Sequence, residues 1–234
     1  MEIYLLNIKH QVIEIIMLFF RKMKIKLEKH KPEWKYLFKI EKENLIGVLG
    51  PEKVRVEHIG STSIPGLSAK PIIDIMIGVD DENQLNNYIN KIIPLGYVYV
   101  KNYEKLLPLR RYFFKLADEN IHMPKIIDFA DDPEKYDSGS YQHKFHIHMV
   151  KFNSDFWKDH LLFRNYLLKN KDARLEYNQL KNKLVLKEWV NINEYAKAKS
   201  FFIRETLNRA LDYEFKKCEE NKPGEKGSDF KGRT

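Results

Sequence analysis

The stretch from Glu57 to Met76 constrains this chain more than any other. It carries Gly60-Ser61-Thr62-Ser63, then Lys70 and Asp74. Apolar residues alternate up to Ile59 and dominate again from Ile72, so the segment reads as strand, turn, strand. The turn is built from small hydroxyl residues. Such a turn offers backbone N–H groups and hydroxyls together, a cradle for phosphate oxygens. Asp74, on the second strand, is placed to hold the divalent cation that phosphates bring with them. The plain alternative is a tight hairpin whose polar residues face water.

The rest of the chain is that of a packed globule. Apolar residues make up 43% of its 234 positions and aromatic residues 13%, enough for one well-buried domain with an appendage. Lys and Arg outnumber Asp and Glu by 41 to 33, a formal charge of +8. That balance suits a polyanionic partner, and it is equally the ordinary bias of a Lys-rich proteome. The basic residues are scattered and do not interleave with aromatics, so nucleic acid is the weaker expectation. A single cysteine, Cys218, excludes an internal disulfide and disfavours structural zinc, which points to the cytoplasm. The apolar run from Gln11 to Phe20 is too short to span a bilayer. It is followed by Arg21-Lys22 where a signal peptide would have small residues. Residues 1–22 therefore read as an N-terminal extension, either a docked helix or sequence ahead of a start at Met17 or Met23.

Helical spacing marks Glu33 to Leu49, stopped by Gly50-Pro51. Strands are expected at Val54–Ile59, Ile72–Val79, Tyr97–Val100, Arg110–Leu116 and Phe145–Val150, with a helix over Asp81–Ile93. Asp118 to Gln142 is polar and rich in turn residues, a long surface insertion or a lid. Three C-terminal helices follow, capped by Ser154, Asp172 and Asn193, the last ending near Asp212. Residues 23–212 thus form an α+β domain, a mixed sheet flanked by helices, and 213–234 a polar disordered tail.

Strand parity then selects side chains. Asp74 and Met76 share one face of their strand, opposite Ile73, Ile75 and Ile77. His146 and His148 share the corresponding face of theirs. If the two strands are neighbours, Asp74, His146 and His148 form a candidate metal set. One of Arg110 and Arg111 points to the same face, and Arg suits phosphate. Lys199 falls within the apolar stripe of the last helix and Arg164 lies between Leu161 and Leu168. A cation in either place needs an anionic partner or must snorkel.

These residues carry a family resemblance. Trp34, Phe38 and Glu41, the block from Glu57 to Ile75, His146-Ile147-His148-Met149, Phe163-Arg164-Asn165-Tyr166-Leu167 and the Tyr195/Lys199 pair resemble the GrpB family, over roughly Lys24 to Leu211. The resemblance implies a nucleotidyltransferase fold of the DNA polymerase beta kind. It thus implies transfer of a nucleotidyl group from a nucleoside triphosphate to a small acceptor. GrpB-like domains also occur fused to dephospho-CoA kinase. On this reading Gly60, Ser61, Thr62 and Ser63 hold phosphates, and Lys70, Arg111, Arg164 and Lys199 neutralise them. Asp74, with His146 and His148 or Glu57, holds Mg²⁺ or Mn²⁺. Three departures stand out. Met76 replaces the usual second acid, Asn165 replaces an Asp, and the Asp118–Gln142 insertion is long. Met76 favours the alternative, a nucleotide- or CoA-like-ligand-binding module or protein-interaction domain without turnover.

Overall fold

A computed structural model describes residues 22–220. The expectations for residues 1–21 and 221–234 lie outside the described residues. Two sheets are present. Six strands, β2 (Val54–Ile59), β3 (Ile73–Val79), β4 (Val98–Val100), β5 (Arg110–Leu116), β6 (Ile126–Ile127) and β7 (His143–Lys151), form a mixed sheet in the order β2-β3-β7-β5-β4-β6. The pairs β3/β7 and β4/β6 are parallel and the others antiparallel. A small second sheet pairs β1 (Met23–Lys24) with β8 (Glu188–Trp189).

One face of the large sheet is a continuous apolar layer. Ile73, Ile75, Ile77, Phe145, Ile147, Met149 and Phe113 pack there against Trp34, Leu45 and Leu49 of α1 (Glu33–Leu49). Leu85, Tyr88 and Ile92 close the layer. They come from a 3-10 segment, Glu82–Tyr88, running into a single α-turn, α2 (Ile89–Ile92). The continuous helix expected over Asp81–Ile93 is therefore a tighter, shorter device. Pro94 cannot extend it, and Gly96 takes a left-handed conformation (φ 87°) to turn the chain. Each fully buried aliphatic or aromatic side chain contributes roughly 1.5–3 kcal/mol by area.

The other face is covered by helices from the C-terminal half. α3 (Asp155–Lys169) is capped by the Ser154 side chain. α4 (Lys171–Leu184) is capped by Asn170 rather than Asp172, because the Asn170 side chain accepts from the Ala173 amide at 2.9 Å. The third expected helix is two: α5 (Ile192–Lys197), capped by Asn191, and α6 (Ser200–Glu220). The break falls at Ala198–Lys199. α6 continues past Asp212 to Glu220, so the first part of the expected tail is helical. The Asp118–Gln142 insertion holds the edge strand β6 and a 3-10 turn, Pro133–Tyr136, and its Asp137 and Ser138 reach the cleft described below.

Candidate functional site

The cleft opens where α3 stops covering the sheet. Register places Asp74 beside His146, Met76 beside His148 and Gly78 beside Val150 on adjacent strands. Trp157 of α3 lies so close over Gly78 that a Cβ there would meet its ring at 2.7 Å. Met76 is fully buried with Ile59, Val150 and Trp157. Asp74, one step further along β3, lies beyond this cover with 28% of its side chain exposed. Gly60 completes the opening. Its φ is +71°, and a Cβ would fall 2.2 Å from Asp74 Oδ2, so only glycine lets the turn pass the carboxylate. The resulting cavity is about 350 Å³.

The hydroxyl turn is a 3-10 turn over Ser61–Ser63. Ser61 and Thr62 line the cavity. Thr62 is buried, its hydroxyl donating to Ile72 O at 3.1 Å and facing His58 Nε2 at the same distance. Ser63 is half-buried and its hydroxyl donates back to Gly60 O, so it serves the turn and not the cleft. Three lysines line the cavity with Ser61. Lys70 donates to Ser138 Oγ at 2.9 Å. Lys181 donates to Ser61 Oγ at 3.2 Å and to Ser68 O, and lies over the Tyr177 ring. Lys199, at the α5–α6 break, sits 4.4 Å from the centroid of Tyr195. None of the three forms an ion pair with a carboxylate of the described residues. Burial, and then Lys199, pull the Lys181 ammonium down to about 7. Burial, and then Lys70, pull Lys199 down to about 8. Two carboxylates, Asp74 and Asp137, line the cleft with these three lysines and Arg110.

Of the two carboxylates that line it, Asp137 accepts from the Gly139 and Ser140 amides, and Asp74 is tied to a chain of imidazoles. His143 Nε2 lies 2.9 Å from Tyr136 O, and His143 Nδ1 lies 2.8 Å from His146 Nε2. A carbonyl only accepts, so His143 carries its proton on Nε2. Burial holds that ring neutral, with its pKa lowered to about 3, so Nδ1 accepts from His146 Nε2. The remaining nitrogen, His146 Nδ1, faces Asp74 Oδ1 at 3.3 Å. Burial lowers the His146 pKa. In its neutral form the ring presents a lone pair beside a carboxylate, two acceptors side by side. Burial alone pushes the Asp74 carboxyl up. Protonation of His146 turns Nδ1 into a donor to Asp74, and that bond, with the charges that protonated His146, protonated His148 and Lys70 then carry, holds the carboxyl below its ordinary value.

The structure redistributes the other expected residues. Arg111 lies on the opposite face, since it pairs in register with Met149. It is spent on Asn86 Oδ1, Pro108 O and Glu104. Arg110, which pairs with Val150, is the one that faces the cleft. Glu57 has the same parity as Asp74, but Arg164 closes it at 2.7 Å and also donates to His58 O. Neither Glu57 nor Arg164 lines the cavity. His148 does line it, yet its Nδ1 lies 3.3 Å from the Arg110 guanidinium, a poor neighbour for a bound cation. Among the described residues no group of three or more His, Cys, Asp or Glu side chains converges as a metal site.

Lys181, His143 and Tyr112 line the cavity without having been singled out. Lys181 had a legible signal. It follows Ala173 and Tyr177 at four-residue spacing and precedes Leu184 by three, and all four are buried on one face of α4. A lysine on an apolar stripe is the same anomaly that marks Lys199.

The comparisons agree with this architecture. The family model described as GrpB protein matches residues 24–209. A UPF0157 protein of Halalkalibacterium halodurans is 31% identical over 80% of this chain and 82% of its own length. The glutamate-rich protein GrpB of Alkalihalophilus pseudofirmus is 30% identical over 82% of this chain and 99% of its own. A dephospho-CoA kinase of Mycolicibacterium paratuberculosis is 25% identical, and the match spans 45% of that longer protein. Among solved structures, the conserved protein GrpB from Enterococcus faecalis superposes with a TM-score of 0.62 at 28% identity, covering 81% of this chain and 99% of that one. With the mixed sheet, the glycine-gated carboxylate and the hydroxyl turn in place, the chain belongs to the GrpB family.

Proposed function

We propose that the cleft binds a nucleoside triphosphate and passes its nucleotidyl group to a small acceptor. The observation that carries this reading is a set of three lysines, Lys181 buried and Lys70 and Lys199 half-buried, that line one cleft with the hydroxyl turn and form no ion pair with a carboxylate among the described residues. Lysines drawn out of water without a salt-bridged carboxylate are costly, and a polyphosphate chain supplies charge to match them. Ser61 adds a hydroxyl contact. In the transfer the acceptor oxygen bonds to the α-phosphorus and the bond to the bridging oxygen breaks. Pyrophosphate leaves with the electron pair, and the acceptor's proton is lost to bulk water.

The donor set fits one divalent cation, Mg²⁺ or Mn²⁺, and not a pair. Asp74 and the His146 Nδ1 lone pair are adjacent acceptors. A single carboxylate, with phosphate oxygens and water completing the shell, is an ordinary Mg²⁺ arrangement. The position of a second acid is Met76, sealed under Trp157. A cation bound there supplies neutralisation of phosphate charge. That same Met76 favours the second reading, a pocket that holds the nucleotide without turnover.

The test is a thermal-shift screen of nucleoside triphosphates with Mg²⁺ and Mn²⁺, followed by an assay of pyrophosphate release. Stabilisation of about 2.7 kcal/mol is expected at a hundredfold excess of ligand over its Kd. Stabilisation without pyrophosphate release from any acceptor supports the second reading. No stabilisation by any triphosphate or by pyrophosphate removes both.

A further inference from the structure

Arg110 is a cation of the cleft that the phosphate reading leaves unused. It begins β5, four positions along from the level of Asp74 and His146, since it registers with Val150 on β7. That is about 13 Å along the strand direction. Its guanidinium is walled by three rings, with Tyr103, Tyr112 and Phe156 centroids at 5.8, 5.4 and 5.9 Å. One terminal nitrogen lies against His148 Nδ1 at 3.3 Å. Its Nε is buried with no hydrogen-bond partner. No carboxylate of the described residues pairs with it. A buried N–H left without a partner costs about 1–3 kcal/mol, and a guanidinium offers a planar fork that matches a planar anion.

We propose that Arg110 and the aromatic walls around it form a second anion subsite, separate from the lysines, that takes a carboxylate of the small acceptor. Charge decides for a carboxylate over a phosphate. His148 accepts from Arg110 through Nδ1 and so faces it as a neutral ring, leaving one positive charge in the slot. One charge matches a monoanion. A phosphate dianion among three aromatic rings would leave a charge buried and uncompensated. The lysine end, with three ammonium groups, is built for the more highly charged partner. The subsite deepens the transfer reading by naming the acceptor class, and it rests on that reading for its role in the reaction.

Saturation-transfer NMR on the full chain tests it with two probes of similar size, acetate and methylphosphonate, each with and without saturating pyrophosphate. Acetate is expected to give transfer in both conditions, weakened at least tenfold by Arg110→Gln and unchanged by Lys199→Met. Arg110→Lys keeps charge and stem but loses the fork. It serves if the Gln variant melts early, and a severalfold loss is expected from it. The proposal is overturned if acetate gives no transfer in the wild type, or if the signal survives both Arg110 substitutions. It is also overturned if pyrophosphate displaces acetate, or if methylphosphonate gives the stronger Arg110-dependent signal. Failure of pyrophosphate itself to bind would count against the triphosphate reading alone, because the acetate arm is also run without it.

Discussion

At the scale of single residues, Asp74 and Gly60 act as one unit. Asp74→Asn keeps size and removes the charge that faces His146 Nδ1. Pyrophosphate release should vanish, and the cation-dependent part of nucleotide stabilisation should go with it, while the melting profile of the free protein stays two-state. Gly60→Ala forces a non-glycine residue into a positive-φ, extended-ψ conformation that only glycine adopts readily, worth about 1–3 kcal/mol, and drives a methyl into the Asp74 carboxylate. It should lower the Tm and remove ligand stabilisation together, read in one thermal-shift series. Lys199→Met is expected to behave in the opposite way. It removes a half-buried charge that has no ion-paired carboxylate among the described residues. The free protein should therefore melt at the same temperature or higher, while pyrophosphate affinity measured by calorimetry drops about tenfold, a typical charged hydrogen bond of ~1.5 kcal/mol. Equal affinity in the variant would remove Lys199 from the site.

At the scale of elements, α3 sets the site's limits. Trp157 packs over Gly78 and seals Met76, so β3 itself presents an acid only at Asp74, beyond that cover. Restoring a second acid by Met76→Asp should therefore cost several kcal/mol, because the carboxylate would be buried among Ile59, Val150 and Trp157. Met76→Leu, by contrast, should cost under about 1.5 kcal/mol. Urea denaturation separates the two. An aspartate at this position tolerated at no cost in stability would mean that α3 moves aside. The α3–α4 corner depends on Asn170, whose side chain caps α4. Asn170→Ala should cost about 1 kcal/mol by the same measurement. Through the position of Lys181 on α4, it should also weaken pyrophosphate binding.

At the scale of the whole molecule, the buried Lys181 couples ligand, charge and stability. Lys181 falls from 10.5 to about 7 in the folded protein, with burial first and then Lys199 as causes. Between those values the unfolded chain binds more protons, so this group makes stability rise with pH from about 7 towards 10. A bound polyphosphate reverses the effect by favouring the charged ammonium. Triphosphate or pyrophosphate binding near pH 8 should take up protons, and affinity should fall as pH rises through that window. Calorimetry in two buffers of different ionisation heat measures the uptake directly. At the acid end the sign comes from His58, buried against Phe38 and Thr62 and lowered to about 4 by burial. Its unfolded value is 6.5, so stability should drop as pH falls from 6.5 towards 4, by on the order of 3 kcal/mol from this group.

Local pattern alone determined much of this protein. The α1 stripe, the alternation that puts Ile73, Ile75 and Ile77 on one face and Asp74 on the other, and the glycine–hydroxyl turn are all written in nearest-neighbour spacing. Periodicity is enforced by backbone geometry, and the strand faces follow from it. So does the neighbourhood of Asp74 and His146, once β3 and β7 pair. What the spacing did not contain is how far α3 covers the sheet, which arginine of a consecutive pair turns inward, and whether a carboxylate is already matched. Arg111 and Glu57 were plausible ligands until Glu104 and Arg164 closed them. His143 gained its place through Tyr136, from an insertion with no periodic signal. These are contacts between segments far apart in sequence. They are set by the packing of helices on the sheet, which a one-dimensional pattern does not encode.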